Sequence, residues 1–454
     1  MPVHLGSMDK SVESVIRAHG PSIRPGDVYA INAPYNGGTH LPDITVVTPV
    51  FDEAEREILF YVASRGHHAD VGGVSPGSMS PLATHIDEEG VYIDNFKLVD
   101  RGRFREAELR DLLTGAKYPA RNPVQNIGDL KAQIAANERG VAELKRMVRH
   151  FGLDVVQAYM GHVQDNAAES VRRVLDTLPD ECAYDYEFDQ GCFVRVRITV
   201  DREKREATVD FTGTSEQRAD NYNAPAPVTR AAVLYVFRVM VEGRIPMNAG
   251  CLRPINSVVP EGTMLSPRYP AAVVAGNVEV SQGVTNCLFG ALGAMAAAQG
   301  TMNNLTFGND TYQYYETICS GSPAGPGWNG TDGVHTHMTN SRLTDPEVLE
   351  FRYPVVLEDF HIRKGSGGQG KWHAGDGTQR TIRFLERMDL ALLTSHRRVP
   401  PFGADGGEPG QVGENSARRR DGRIEKLGGC DQTVMEPGDA IIIQTPTAGG
   451  YGRA

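Results

Sequence analysis

Nowhere do the 454 residues hold the roughly 18 consecutive apolar residues that a membrane-crossing helix needs. Met1–Lys10 does not read as a signal peptide, so a cytoplasmic chain is expected. Positive charge is in deficit too: 46 Lys and Arg stand against 57 Asp and Glu, a net charge of −11. That balance speaks against a nucleic-acid partner, because phosphate contacts need clustered Lys and Arg. The basic run Arg418–Arg420 lies in a Gly-rich, polar stretch and reads as solvated surface. The six cysteines, Cys182, Cys192, Cys251, Cys287, Cys319 and Cys430, include no C-x-x-C pair. Zinc ribbons and dithiol redox motifs are thereby removed, and reduced thiols are expected. No G-x-S-x-G elbow is present, and no cysteine has a histidine close by in sequence. Cys319, nearest the His335 region, is the best-placed thiol; even it reads better as a buried structural residue.

What is present is ordinary for a globular chain: 40% hydrophobic and 23% charged residues, with length for two or three domains at roughly 150 residues each. The first hundred residues read as strands and turns, with β-type runs at Val28–Asn32, Ile44–Phe51 and Ile58–Ser64. From Phe104 the pattern turns helical. Ile127, Leu130, Ile134, Val141, Leu144, Val148 and Phe151 form a near-heptad stripe, with Asn137 at one seam position. After Gly152 a second stripe runs from Val155 to Leu178, where Pro179 stops it. Two helices joined at one glycine most simply make an antiparallel hairpin. Strands return at Tyr184–Phe188, Phe193–Val200 and Ala207–Phe211, followed by helical segments over Ala231–Val241 and Val284–Ala298. Fifty glycines concentrate from Gly250 onward, and short strands end in Ala440–Gln444. The class is α+β. Its expected parts are a β-rich N-terminal region (1–101), a long helical hairpin insertion (102–180) and a Gly-rich mixed α+β region (181–454).

The clearest chemical signal is a pair of matching steps, His40-Leu-Pro-Asp43 and His67-His-Ala-Asp70, at opposite ends of a predicted hairpin. Pro42 and the flanking glycines keep both off helices. A turn centred between Glu53 and Ala54 sets His40 directly across from His67, with Cβ atoms about 4.5–5.5 Å apart. Two imidazoles and a carboxylate from Asp43 or Asp70 suit Zn, Mn or Fe. The competing reading is a hydrogen-bonded polar turn with exposed histidines. A second cluster, His335-Thr-His337, would put both rings on one face of a strand. Glu316 lies upstream in the same polar region. Gly365–Lys371 fits G-x-x-x-x-G-K, but Trp372 stands where Ser or Thr should hold Mg²⁺, and no helix start follows. It reads as a structural turn, leaving no ATP site on this chain.

In the block Asn32-Ala-Pro-Tyr-Asn-Gly-Gly-Thr-His-Leu-Pro-Asp43 the sequence resembles the hydantoinase B/oxoprolinase family. The resemblance continues through Ala63–Gly73, Gly152–His162, His335–Asn340, Lys364–Gly377 and Gly449–Gly452. Asn-Ala-Pro-Tyr and Gly66-His-His-Ala-Asp70 are similar to the ATP-dependent 5-oxoprolinase branch. The resemblance implies a divalent metal on His40, Asp43 and His67, with Asp70 adjacent, and ATP-driven opening of 5-oxoproline to L-glutamate. ATP and Mg would belong to a hydantoinase A-type partner, a separate subunit or fused domain, in a hetero-oligomer. That half would phosphorylate the amide oxygen, and His68 or Asp70 here would take a proton as general base. Glu316, His335 and His337 would orient the substrate. Family members carry a further helical segment before the block matching Pro2–Met8, so a truncated start or a partner supplying that part is expected. An N-methylhydantoinase, an acetone/acetophenone carboxylase-like subunit or a non-catalytic scaffold remain as alternatives.

Overall fold

The computed structural model describes residues 1–454. The chain opens with two helices, α1 (Pro2–Leu5) and α2 (Met8–His19). They lie where strands and turns were expected, although Met8, Val12, Val15 and Ile16 of α2 do fall at helical spacing. Strands β1 (Val28–Ile31), β2 (Asp43–Phe51), β3 (Ile58–His67), β4 (Phe96–Asp100) and β5 (Arg103–Phe104) form one antiparallel sheet, in the order β3-β2-β1-β4-β5. Alternation along β1 fills both faces of this sheet. Val28 and Ala30 join a core with Leu109, Leu113, Ile127 and Leu130. Tyr29 and Ile31 meet Val15 of α2 on the other side.

Helices α3 (Glu106–Thr114), α4 (Pro123–Phe151) and α5 (Leu153–Leu175) follow. The two long helices fall on the expected stripes, broken at Gly152 (φ 87°). They follow one another across Gly152 as a hairpin requires; the far end of each is buried against a different core, while Met147, Phe151, Val155 and Tyr159 beside the junction are exposed. Ile127 and Leu130 of α4 pack on the first sheet. Ala167, Val171, Val174 and Leu175 of α5 pack into a second, larger core. Asn137, the polar residue of the α4 stripe, is buried and donates to the Val46 carbonyl of β2 at 3.0 Å.

That larger core is built on the sheet β6 (Glu181–Glu187), β7 (Phe193–Asp201), β8 (Glu206–Asp210) and β9 (Ile255–Val258), together with α6 (Ala226–Val239) and α7 (Ser281–Leu292). Along β7, Val194, Val196, Ile198 and Val200 point inward while Arg195 and Arg197 are exposed. A π-helical turn, Gly276–Val280, leads into α7. Beyond it come β10 (Asn304–Gly308), β11 (Gln313–Thr317), α8 (Pro346–Arg352), β12 (Val355–Ile362), β13 (Thr378–Phe384), β14 (Met388–Leu393), β15 (Glu414–Arg418), β16 (Ile424–Leu427), β17 (Cys430–Met435) and β18 (Ala440–Gln444). Their two sheets, β11-β10-β14-β17 and β12-β13-β18-β15-β16, enclose a third core of Leu305, Phe307, Leu390, Ile382, Phe384 and Ile441. The basic run is less solvated than expected: Arg418 ends β15 and pairs with Glu358, and Arg419 reaches Asp439 at 2.9 Å. The architecture is α+β, and no helix is long and apolar enough to cross a membrane.

Candidate metal centre

Strands β2 and β3 pair with Asp43 opposite His67, not His40 opposite His67. The expected register was three residues short, because the hairpin turn is centred one residue further along the chain and a bulge between Val50 and Phe51 adds one more step. His40 arrives instead from the loop before β2. Asn32 pins that loop, donating from Nδ2 to the Leu41 and Val91 carbonyls and accepting from the Ile93 amide. Gly37 lets the loop turn with φ 99° against the Lys10 backbone, where a Cβ would collide.

The three side chains nonetheless converge. One donor atom each of His40, Asp43 and His67 lies within 4.8 Å of the other two. His40 Nδ1 is 2.9 Å from Asp43 Oδ2, and His67 Nδ1 is 3.1 Å from Asp43 Oδ1. A residue that the sequence reading missed joins them: His4, on α1, places Nδ1 3.1 Å from Asp43 Oδ2. It is separated by dozens of residues from the others, and its only signal was its place in the Pro2–Met8 block.

Two further observations show that these residues fit a cation. Both ring nitrogens of His40, and Nδ1 of His4, are buried without a hydrogen-bond partner, although a carboxylate stands about 3 Å away. Unpartnered buried polar atoms are costly, and a shared ion would satisfy them. The protonation states also suit ligation. Burial pushes the His40 imidazole below its ordinary value and that of His4 to about 3, so both are neutral at pH 7. Burial alone would raise Asp43, but the imidazoles facing it hold its carboxyl well below the usual range. Neutral nitrogen plus ionised oxygen is a mixed N/O set suited to Zn, Mn or Fe.

His4, His40 and His67 line a cavity of about 230 Å³, with Asp43 behind them; its walls include Asn277 of the π-turn, Tyr315 and Glu316 of β11, and Arg342. Asn277 Nδ2 lies 3.5 Å from Asp43 Oδ2. The Tyr315 ring packs on His67 with centroids 4.9 Å apart.

The remaining expected site residues are placed differently. Asp70 does not face the cavity: its carboxylate accepts from the amides of Gly72, Gly77 and Arg121 and pairs with the Arg121 guanidinium at 2.8 Å. It is a loop organiser, because every lone pair is spoken for. His68 is turned toward α4, bonded to Asn126 and Gln133 at 3.1 and 3.3 Å, and also lies outside the cavity. Glu316 does line the cavity, clamped by buried Arg380 at 2.7 and 3.0 Å. His335 and His337 sit in a loop rather than on a strand, and His337 has φ 55°. The turn separates their rings from the simple alternation expected. His337 packs on Phe289 and Tyr235. The Gly365–Lys371 run is loop, and the next element is β13, not a helix. Cys319 is buried, with its thiol raised by burial.

Fold and cluster together define an α+β protein with a two-histidine, one-carboxylate centre at the edge of its first sheet. The chain belongs to the Hydantoinase B/oxoprolinase family, whose model matches residues 1–454. It is 45% identical to 5-oxoprolinase 1 of Arabidopsis thaliana and 44% identical to 5-oxoprolinase of Dictyostelium discoideum, in each case over 100% of this chain. It spans only 37% and 36% of the length of those relatives. Among solved structures, the ATP-dependent caprolactamase from Pseudomonas jessenii superposes with a TM-score of 0.87 at 25% identity, covering 100% of this chain and 82% of that one. Nucleotide-free acetone carboxylase gives the same TM-score of 0.87 at 16% identity, with 99% and 68% covered, and shares the fold.

Proposed function

We propose that this chain is the metal-carrying, hydantoinase B-type portion of an ATP-dependent cyclic-amide hydrolase that opens 5-oxo-L-proline to L-glutamate. The observation that carries the reading is the His40–Asp43–His67 set, with its partnerless buried nitrogens, at the floor of a cavity sized for a small ring. The alignment of two 5-oxoprolinases along this whole chain supports the choice of substrate. Because those relatives are much longer, ATP and Mg are assigned to a hydantoinase A-type partner, as subunit or fused domain, forming a hetero-oligomer. Six unpaired cysteines accord with a cytoplasmic setting.

When bound, a divalent cation supplies Lewis acidity toward the ring carbonyl. The chain's own residues prepare for it. His40 and His67 present imidazole nitrogens, and Asp43 supplies the negative charge between them. Asn277, on the wall of the same cavity, aims its amide at Asp43 and helps hold the carboxylate in place. Arg380 neutralises Glu316, so the wall opposite the cluster carries no free negative charge to repel an anionic substrate. The small volume limits the water that can enter beside the ring.

Metal content and turnover test this together. Wild-type chain supplied with Mn, Zn or Fe is expected to retain about one ion, and His67→Ala to lose it while staying folded. With the A-type partner and ATP, wild type releases glutamate from 5-oxo-L-proline and the variant does not. A folded wild type that retains none of the three ions would overturn the reading.

A further inference from the structure

The cavity above the cluster presents one charged side chain that nothing in the fold neutralises. Of the two acidic or basic side chains that line it outside the histidines, Glu316 is clamped by Arg380. Arg342 lines the same cavity, is exposed, and makes neither a hydrogen bond nor an ion pair. Its neighbours, by contrast, are held through their side chains. Ser341 meets Thr339 at 3.5 Å, Leu343 packs on the third core, and Thr344 accepts from the Tyr314 hydroxyl at 2.9 Å. A guanidinium left free on an anchored loop, over a cavity, is a group presented to a ligand. Its planar fork matches a carboxylate in a two-bond geometry that a lysine cannot reproduce.

The net charge of −11 adds to the argument. An anionic substrate approaching this protein needs a local cation to hold it, and among the side chains on the wall the unpaired positive charge is that of Arg342. We infer that Arg342 binds the carboxylate of a cyclic amino acid amide, leaving the ring carbonyl directed at the His40–Asp43–His67 floor. The inference rests on the cyclic-amide reading above and makes it narrower. It assigns this site to ring substrates bearing an acid, as against plain lactams of the caprolactam type.

The test compares 5-oxo-L-proline with its carboxamide, which keeps the ring and removes the charge. Both are assayed with the metal-loaded chain assembled with its A-type partner and ATP. In Arg342→Gln, KM for 5-oxo-L-proline is expected to rise roughly 10- to 100-fold, and the preference for acid over carboxamide to fall by a similar factor. Arg342→Lys should recover part of the loss, since it restores the charge without the fork. Calorimetric binding of 5-oxo-L-proline should weaken in parallel. An unchanged KM and preference in Arg342→Gln would overturn the assignment, as would a fall in kcat with KM intact. So would a wild type that prefers the carboxamide, and in all three cases the cyclic-amide reading stands. A metal-loaded wild type that opens neither ring removes that reading and this inference with it.

Discussion

Glu89 shows how a single side chain can hold two bodies together and write a pH dependence into the fold. It is fully buried, its Oε1 accepts from the amides of Val273 and Val274 at 2.8 Å, and its Oε2 has no partner. It thereby ties the first sheet's loops to the segment that becomes the π-turn. Burial pushes its carboxyl up to about 8, from an ordinary 4.5. Between those values the folded chain keeps a proton that the unfolded chain has released, so this group's contribution to stability falls as pH rises from 4.5 to 8. Glu89→Gln copies the protonated acid and cannot ionise. Denaturant midpoints measured across that window are expected to fall less steeply with pH in the variant than in wild type. Parallel slopes would mean that Glu89 carries its charge in the fold.

At the scale of elements, the π-turn and β11 act together on the cluster. Glu279 of the π-turn accepts from Asn304 Nδ2 at 2.7 Å, and Asn304 Oδ1 accepts from the Tyr315 hydroxyl at 2.8 Å. That chain fixes the Tyr315 ring over His67, whose side chain is 27% exposed and so the least confined of the triad. Removing the hydroxyl in Tyr315→Phe keeps the ring but frees it. Partners behind a ligand typically contribute 10- to 100-fold in affinity, so competition titration with a chromogenic chelator should show metal binding weakened by roughly tenfold. An unchanged affinity would mean that packing alone holds His67. Neither link of this chain was legible in the sequence, for reasons that apply widely. The β2–β3 hairpin was readable because alternation and a polar turn are local signals, and the long helices because their stripes persist for many turns. Register was not, since a turn centred one residue further along and a bulge between Val50 and Phe51 leave no mark in the alternation of either strand and yet decide which residue faces His67. His4, Asn277 and Tyr315 reach the centre from α1, the π-turn and β11, and no spacing rule links such distant positions. Asp70 looked like a ligand because it repeats the His-x-x-Asp step; its real partner, Arg121, lies on a later segment.

For the whole molecule, the position of the cluster predicts how metal removal propagates. The residues proposed to hold an ion, His40, Asp43 and His67, with His4 beside them, come from the first sheet, the loop before β2 and α1, while Asn277 and Tyr315 approach from the π-turn and β11. An ion held there therefore fastens the free ends of β2 and β3, the loop before β2 and α1, where partnerless buried nitrogens otherwise stand. The third core shares few of these ties: Ile382, Phe384 and Ile441 are buried among themselves across β13 and β18. A ligand that binds only the folded state stabilises by about 2.7 kcal/mol at a concentration 100 times its Kd, and local openings are affected only where they break the site. Chelation is thus expected to speed amide exchange in α1, in residues 32–43 and at the His67 end of β3, with β13 and β18 unaltered below the global limit. Exchange measured by mass spectrometry before and after metal removal, and again after restoring Mn or Zn, checks this directly. Faster exchange spread evenly over all three cores would mean that the ion supports the fold as a whole. No change anywhere would mean that the His40–Asp43–His67 floor holds no ion, and the hydrolase reading would lose the observation that carries it.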